Sequence, residues 1–362
     1  MAVDRPNRNA ILFLGPEEVK GMINMEEAVA AIEQGYKEAD EYPIGNAPRR
    51  RVHSPDGVRV SNFPGGIPGL GVIGSLTRAE SVTHDEGNQT YPYREHPVYL
   101  LWDSETAKLD GIMMGELFDE RTGFSSVMAF RTGATTGVGV KALSRPESKV
   151  FGLLGSGGQA VNKILAIDAV RDIETVKVYS RNPENRLKFC AEMTAIIEKD
   201  VVPVDSAEEA VRGSDVVISA TNSNVPTFDG EWLEPGMHVS CISMFELETA
   251  VVKAADVVST HIGECDPVFI KTEGIGILPE EPGAGFQNLA AETEFATLPT
   301  IAEFVAGKAP GRTSDDQITC MINSVGCGYQ FSVLGYVLLK RAREEGVGQD
   351  IPSDWFTTTP ES

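Results

Sequence analysis

The chain has 362 residues, 41% of them hydrophobic and 23% charged, with a formal net charge of −22 at pH 7. That length suggests roughly two domains, each with enough apolar residues for its own core. So acidic a surface repels nucleic-acid phosphates and anionic lipid headgroups, and no run approaches the ~18 consecutive apolar residues of a membrane span. Neither nucleic acid nor membrane is therefore an expected partner.

The first residues, MAVDRPNRNAILFLGPEE, lack a basic stretch leading into a long apolar one, so a cytoplasmic protein is expected. Five cysteines (Cys190, Cys241, Cys265, Cys320, Cys327) and five histidines (His53, His84, His96, His238, His261) are scattered. They form no C-x-x-C pair and no H-E-x-x-H motif, so neither a metal site nor a disulfide framework is expected.

In chain order, the first ~40 residues read as helix. Asn24 is placed to cap a helix whose third residue is Glu27, with Met25, Val29, Ile32 and Tyr36 on one apolar face. From Gly57 the period changes. VRVSNF, LGVIGSL and PVYLLWD are short runs divided by Gly and Pro, and they predict an antiparallel meander, continued less clearly from Ser104 to Glu120. Gly123 to Ser144 is helical again. Beyond Lys149, apolar strands (KVFGLLG, TVKVYS, VVPV, DVVISAT, MHVSCIS, DVVST) alternate with helices from Gly157 to Val170, from Pro183 to Glu198 and over SAEEAVRGS. Such alternation predicts a parallel sheet covered on both faces. Ile318 to Glu345 reads as one long helix, ended by a basic stretch and Gly346.

The strongest motif is VFGLLGSGGQA, residues 150–160, with Gly155, Gly157 and Ala160 in G-x-G-x-x-A spacing. Gly155 permits the tight turn, Gly157 lets a diphosphate approach the backbone, and Ala160 lets helix and sheet pack closely. The helix N-terminus, with Ser156, Gly158 and Gln159, presents free N–H groups to the diphosphate. The motif follows a strand and opens a helix, which predicts a Rossmann domain and a nicotinamide dinucleotide. After the second strand an NAD site usually carries Asp or Glu. Here Ser180, Arg181 and Asn182 follow, with Arg186 a turn onward, and a 2′-phosphate suits arginine, so NADP(H) is expected over NAD(H). Thr221, at the end of the fourth strand, is placed either to contact the cofactor or to cap the next turn.

Several segments together resemble the ornithine cyclodeaminase/mu-crystallin family: FRTGATTGVGVKALSR (130–145), the 150–160 motif, SDVVISAT, EWLEPGMHVS, GKAPGRTSDDQIT, SVGCG (324–328) and REEGVGQDI. The resemblance implies α/β architecture, with a Rossmann dinucleotide-binding domain (131–317) inserted into an α+β substrate-binding and dimerisation domain (1–130 and 318–362), and a homodimer. It implies that Arg131 grips a substrate carboxylate and that Arg51, or Arg49 in the alternative register, is a second arginine near the substrate. It further implies that Thr132 lies by the cofactor phosphates, and Val325 and Gly326 near the nicotinamide. The chain departs from the family in three places. Ile73 stands where members often carry a substrate-contacting lysine. CISMFELE (241–248) lacks the catalytic aspartate of cyclodeaminases, though Glu246 matches their last glutamate. GELFDERTG (115–123) looks like an insertion.

These features point to an oxidoreductase acting on the C=N or C–NH₂ group of an imino or amino acid. A cyclodeaminase with bound NAD and a catalytically inactive NADPH-binding protein are the alternatives. Acid–base candidates are His53, Arg78, Glu80, His84 and His96. His53 is preferred as the catalytic residue because it lies two residues from Arg51, on the same face of a strand.

Overall fold

The computed structural model describes residues 10–39, 43–47, 49–85, 88–223, 225–261, 295–323 and 328–358. Val325, Gly326 and the glycine-rich stretch 271–287 lie outside the described residues.

The chain opens with strand β1 (Ala10–Leu14), α1 (Pro16–Val19) and α2 (Met25–Glu38). Asn24 and Glu27 form the expected capping box, and Met25, Val29, Ile32 and Tyr36 are buried. β2 (Gly45–Asn46), β3 (Arg50–His53), β4 (Val58–Ile67), β5 (Val72–Asp85), β6 (Asn88–Arg94), β7 (Val98–Asp103) and β8 (Leu109–Met114) follow, then α3 (Val127–Leu143). Next come β9 (Val150–Leu154), α4 (Gly158–Asp168), β10 (Thr175–Tyr179), α5 (Pro183–Ile197), β11 (Asp200–Pro203), α6 (Ala207–Val211), β12 (Val216–Ser219), β13 (His238–Ser240), α7 (Thr249–Ala254) and β14 (Val257–Thr260). β15 (Thr319–Ile322), a helix at Gly328–Glu345 and β16 (Gln349–Pro352) end it.

Two sheets result. The first runs β16-β1-β8-β7-β5-β4-β2, with β3 paired to β4 and β6 to β5. It is antiparallel apart from the parallel β1–β8 pair. The helix Gly328–Glu345 packs on β4 and β5. The second sheet runs β11-β10-β9-β12-β13-β15-β14, all parallel, the doubly wound order whose switch point lies between β9 and β12. α3 packs on both α2 and α4 and so joins the two halves.

Two expectations from the sequence are corrected here. Ala10–Leu14 is a strand, not helix. Thr319–Ile322 is a central strand of the parallel sheet, so the expected helix from Ile318 begins only at Gly328, and the boundary at 317/318 moves past Ile322. The segment 115–123, expected as an insertion, is tied to the starts of two helices. Asp119 accepts the backbone N–H of Met25 (3.0 Å) at the start of α2, and Glu116 accepts that of Val127 (2.7 Å) at the start of α3. Each carboxylate satisfies an open donor at a positive helix end.

His238 sits in β13 with no exposed surface, its Nδ1 2.8 Å from Thr319 Oγ1. Burial, then the Arg312 and Arg171 cations, push its pKa down to about 3. The fold thus holds it neutral, whereas the unfolded chain takes up a proton below about pH 6.5. Stability is complete above that value and falls with the pH below it, by about 2 kcal/mol between pH 7 and pH 5 from this group alone. The stability difference between wild type and His238→Gln, measured by urea unfolding at both pH values, is expected to narrow by that amount. Parallel pH profiles would refute it.

Candidate functional site

β9 delivers the chain to Gly155, whose φ of +116° only glycine adopts readily, and whose N–H donates to Tyr179 O at 2.8 Å. A Cβ there would run into the carbonyl of Ala220 at the end of β12. Gly157 is the N-cap of α4, and no side chain caps the helix. A Cβ at Gly157 would meet no atom of the described residues within 4 Å, so among them the space before the helix is open. Ala160 is fully buried, and the buried Gln159 Oε1 has no hydrogen-bond partner among the described residues. An uncapped helix N-terminus facing open space, beside an orphaned amide, fits a dinucleotide diphosphate.

At the end of β10, Ser156 Oγ donates to Ser180 Oγ at 3.0 Å, and Arg181 is exposed. Two residues expected at the 2′-phosphate have other work. Arg186 donates to Ser180 O (3.0 Å) and Asp205 (2.9 Å), and the Asn182 side chain caps α5 by accepting from Asn185 N–H (2.9 Å). Thr221 takes the capping role. Its hydroxyl donates to Glu246 Oε1 (2.7 Å) and accepts from Ser223 N–H (3.0 Å).

Glu246 has no exposed surface and also accepts from Ser219 Oγ and from the N–H groups of Thr221, Ile242 and Ser243. Burial raises its pKa, and the Thr221, Ile242 and Ser219 donors offset that in part. It ties β12 to the turn after β13 and has no face left for a substrate.

Arg131, in the first half of α3, is 8% exposed. Its Nη1 donates to Gln330 Oε1 at 2.9 Å, and its guanidinium lies 5.4 Å from the ring centre of Phe331. Gln330 is held in turn by Thr135, to whose hydroxyl it donates at 2.6 Å. Thr132 faces α4. Its hydroxyl donates to Met128 O, and its carbonyl accepts from Lys163 Nζ (2.8 Å) and Asn323 Nδ2 (3.3 Å). Lys163 is wholly buried, and burial and then the Arg131 cation hold its pKa well below the usual lysine value. α3 thereby carries Arg131 to the helix that opens at the glycine turn.

Arg51 and His53 share a face of β3, as expected. Arg51 stands opposite Ser61 and His53 opposite Arg59 on β4. Burial, then Arg59 and Arg51, lower the His53 pKa, so its imidazole is neutral at pH 7. Ile73 is 45% exposed on the opposite face of the sheet, so it does not replace a lysine in the site. His96 is exposed, and the side chain of His84 lies outside the described residues. Gln330, Lys163, Tyr99 and Glu116 went unread in the sequence. Gln330 meets Arg131 across 199 positions, Lys163 meets Thr136 across 27 and Glu116 meets Arg78 across 38, although Glu116 also stands 11 before Val127.

A parallel sheet with a glycine turn at its switch point is the framework of a nicotinamide-dinucleotide oxidoreductase, and a buried arginine stands one helix away. Comparison with known proteins narrows this. The model of the ornithine cyclodeaminase/mu-crystallin family matches residues 11–344, and the chain belongs to that family. It is similar to the Delta(1)-pyrroline-2-carboxylate reductase of Bacillus cereus, 33% identical over 63% of this chain and 68% of the relative. It is similar to the alanine dehydrogenase of Archaeoglobus fulgidus, 28% identical over 94% of this chain and 98% of the relative. Among solved structures, the Thermococcus litoralis Delta(1)-pyrroline-2-carboxylate reductase in complex with NADH and L-proline superposes with a TM-score of 0.73. The two are 25% identical, over 94% of this chain and all of that one. The chain is an NAD(P)-dependent oxidoreductase of the imine reductase and amino acid dehydrogenase type.

Proposed function

We propose that the chain reduces the C=N bond of an imino acid whose carboxylate is held by Arg131, with NADPH preferred over NADH. The observation that carries this is the buried Arg131 guanidinium one residue from Thr132, whose carbonyl is tied to α4. A guanidinium fork fits a carboxylate bidentately and fixes the neighbouring carbon in place. When bound, a nicotinamide supplies the hydride. Gly155, Ser156, Gly157, Gly158, Gln159 and Ala160 would hold the diphosphate, with Thr132 beside it. Val325 and Gly326 remain, by family resemblance, the segment near the ring.

His53 is the residue nearest in character to a proton carrier. Neutral at pH 7, it suits accepting a proton in the amine-oxidising direction. A kcat within twofold of wild type in His53→Ala would remove it. Arg51 is kept as the second substrate arginine.

The NADPH preference rests on the absence of a carboxylate in Ser180–Arg181–Asn182 and on the exposed Arg181, since Arg186 is tied to Asp205. Arg181→Ala is expected to raise the KM for NADPH about tenfold while moving that for NADH less than threefold. A wild-type KM for NADH tenfold below that for NADPH would overturn the assignment.

A cyclodeaminase reading loses support, because Glu246 is enclosed by its own donors. A homodimer is supported by the outer face of the first sheet. Val52, Val58, Val60, Ile73 and Tyr93 are 40–68% exposed there, on the side away from Arg51. Light scattering giving the mass of one chain would remove the dimer. The reaction itself is tested by NADPH oxidation with cyclic ketimines and with 2-oxo acids plus ammonia or methylamine. Tight NADPH binding without turnover across that panel would favour a binding protein.

A further inference from the structure

Beside Arg51, the inner face of the first sheet carries buried polar residues that the reaction above leaves unused. The register sets Arg51 opposite Ser61 and Ser61 opposite Arg78 across β3, β4 and β5. Two residues along, Phe63, Leu76 and Tyr99 form the next row on the same face. Two residues the other way lie His53, Arg59, Glu80 and Arg94. Ser61 and Arg78 are each 3% exposed, and Tyr99 has no exposed surface.

The charges on this face do not balance. Glu80 takes both Arg59 and Arg94, each through Nε at 3.0 Å, and Glu116 pairs with Arg78. Arg51 makes no ion pair among the described residues, and Glu80, the carboxylate that favours its charge, is taken by Arg59 and Arg94. Burial, then Arg49 and Arg59, pull its pKa down to about 9, the mark of a cation short of an anion.

Hydrogen bonding tells the same story. Arg51 Nε, Ser61 Oγ, Arg78 Nε and the Tyr99 hydroxyl are all buried without a partner among the described residues. Buried polar atoms are nearly always paired, and these four share the ability to donate, so the missing partner is an acceptor. The row also lies close to Arg131. Glu116, which pairs with Arg78, accepts Val127 N–H, and Arg131 follows one helical turn later, about 6 Å along the axis. Between them Phe63 and Phe331 stack edge to face, 5.4 Å apart, with Arg131 over Phe331.

We propose that Arg51, Ser61, Arg78 and Tyr99 form a second anion subsite that takes the side-chain carboxylate of the substrate. The substrate is then an imino or amino dicarboxylic acid of aspartate or glutamate length. One carboxylate lies on Arg131, the methylenes on the two phenylalanines, and the other carboxylate on the row. This rests on the reading of Arg131 as the anchor of the first carboxylate.

The test measures NADPH oxidation with oxaloacetate or 2-oxoglutarate plus ammonia against pyruvate plus ammonia. Thermal-shift titration of the same oxo acids without ammonia runs beside it. The dicarboxylic acids are expected to show a kcat/KM about a hundredfold higher. Ser61→Ala and Tyr99→Phe each remove an atom that has no partner in the free protein, so neither should lower the Tm without ligand. Each should lower the ratio of dicarboxylic to monocarboxylic kcat/KM about tenfold, and weaken dicarboxylate binding alike. Arg78→Lys keeps the charge and should fall between these and wild type.

Pyruvate used as well as the dicarboxylic acids would overturn the subsite and leave the imine reductase standing. An unchanged ratio in both Ser61→Ala and Tyr99→Phe would do the same. Dicarboxylate binding that depends on Ser61 and Tyr99, without turnover of any acid, would keep the subsite and overturn the reaction.

Discussion

Replacing Arg131 by methionine is expected to lower kcat/KM about a thousandfold while leaving NADPH affinity within threefold of wild type. The side chain is 8% exposed, so a substrate carboxylate beside it meets the guanidinium in a water-poor setting. Losing one partner of such a desolvated charge pair costs roughly 2–5 kcal/mol, and each ~1.4 kcal/mol is tenfold in rate. Methionine roughly conserves the volume against Phe331 and removes a buried charge, which offsets the donor lost to Gln330 Oε1. The Tm should therefore move by only a few degrees. Arg131→Lys restores the charge without the fork and should recover a part of the activity. A loss below tenfold in Arg131→Met would mean that the carboxylate is bound elsewhere.

The second large effect lies at Gly157. Serine there should weaken NADPH binding about a hundredfold without destabilising the free protein. A Cβ at that position meets no atom of the described residues within 4 Å, and serine is a good N-cap, its hydroxyl able to take an N–H of the first turn of α4. The apo Tm should hold or rise slightly. The added atoms fill the approach that a diphosphate needs and occupy a donor it would use. Gly155 is the control for a different failure. With φ at +116° and the Ala220 carbonyl against it, Gly155→Ala should lower the Tm as well as binding. Unchanged NADPH affinity in Gly157→Ser, measured by fluorescence titration, would remove the turn from the cofactor site.

How far these features could be read in advance depended on their range. The glycine turn and α4 obey local rules of spacing and capping. The common face of Arg51 and His53 needs only the two-residue period of a strand, so both were legible. The strands at Ala10–Leu14 and Thr319–Ile322 were not, because runs of three to five consecutive apolar residues carry no period that tells a buried strand from a buried helix. Arg186 pointed to a phosphate in the sequence. Only the sheet brings Asp205, 19 positions on, against it. The pairing of Arg78 with Glu116 across 38 positions, and of Arg131 with Gln330 across 199, depends on how strands and helices stack, and no local pattern announces it.

A crystal structure of the chain with NADP⁺ and a non-reducible carboxylic acid tests the account most directly. It should show the diphosphate on the N–H groups of Gly157 and its neighbours, and the carboxylate about 3 Å from the Arg131 guanidinium nitrogens. A nucleotide bound away from the Gly155–Ala160 turn, or a carboxylate held by other residues while Arg131 stays on Gln330, would contradict it.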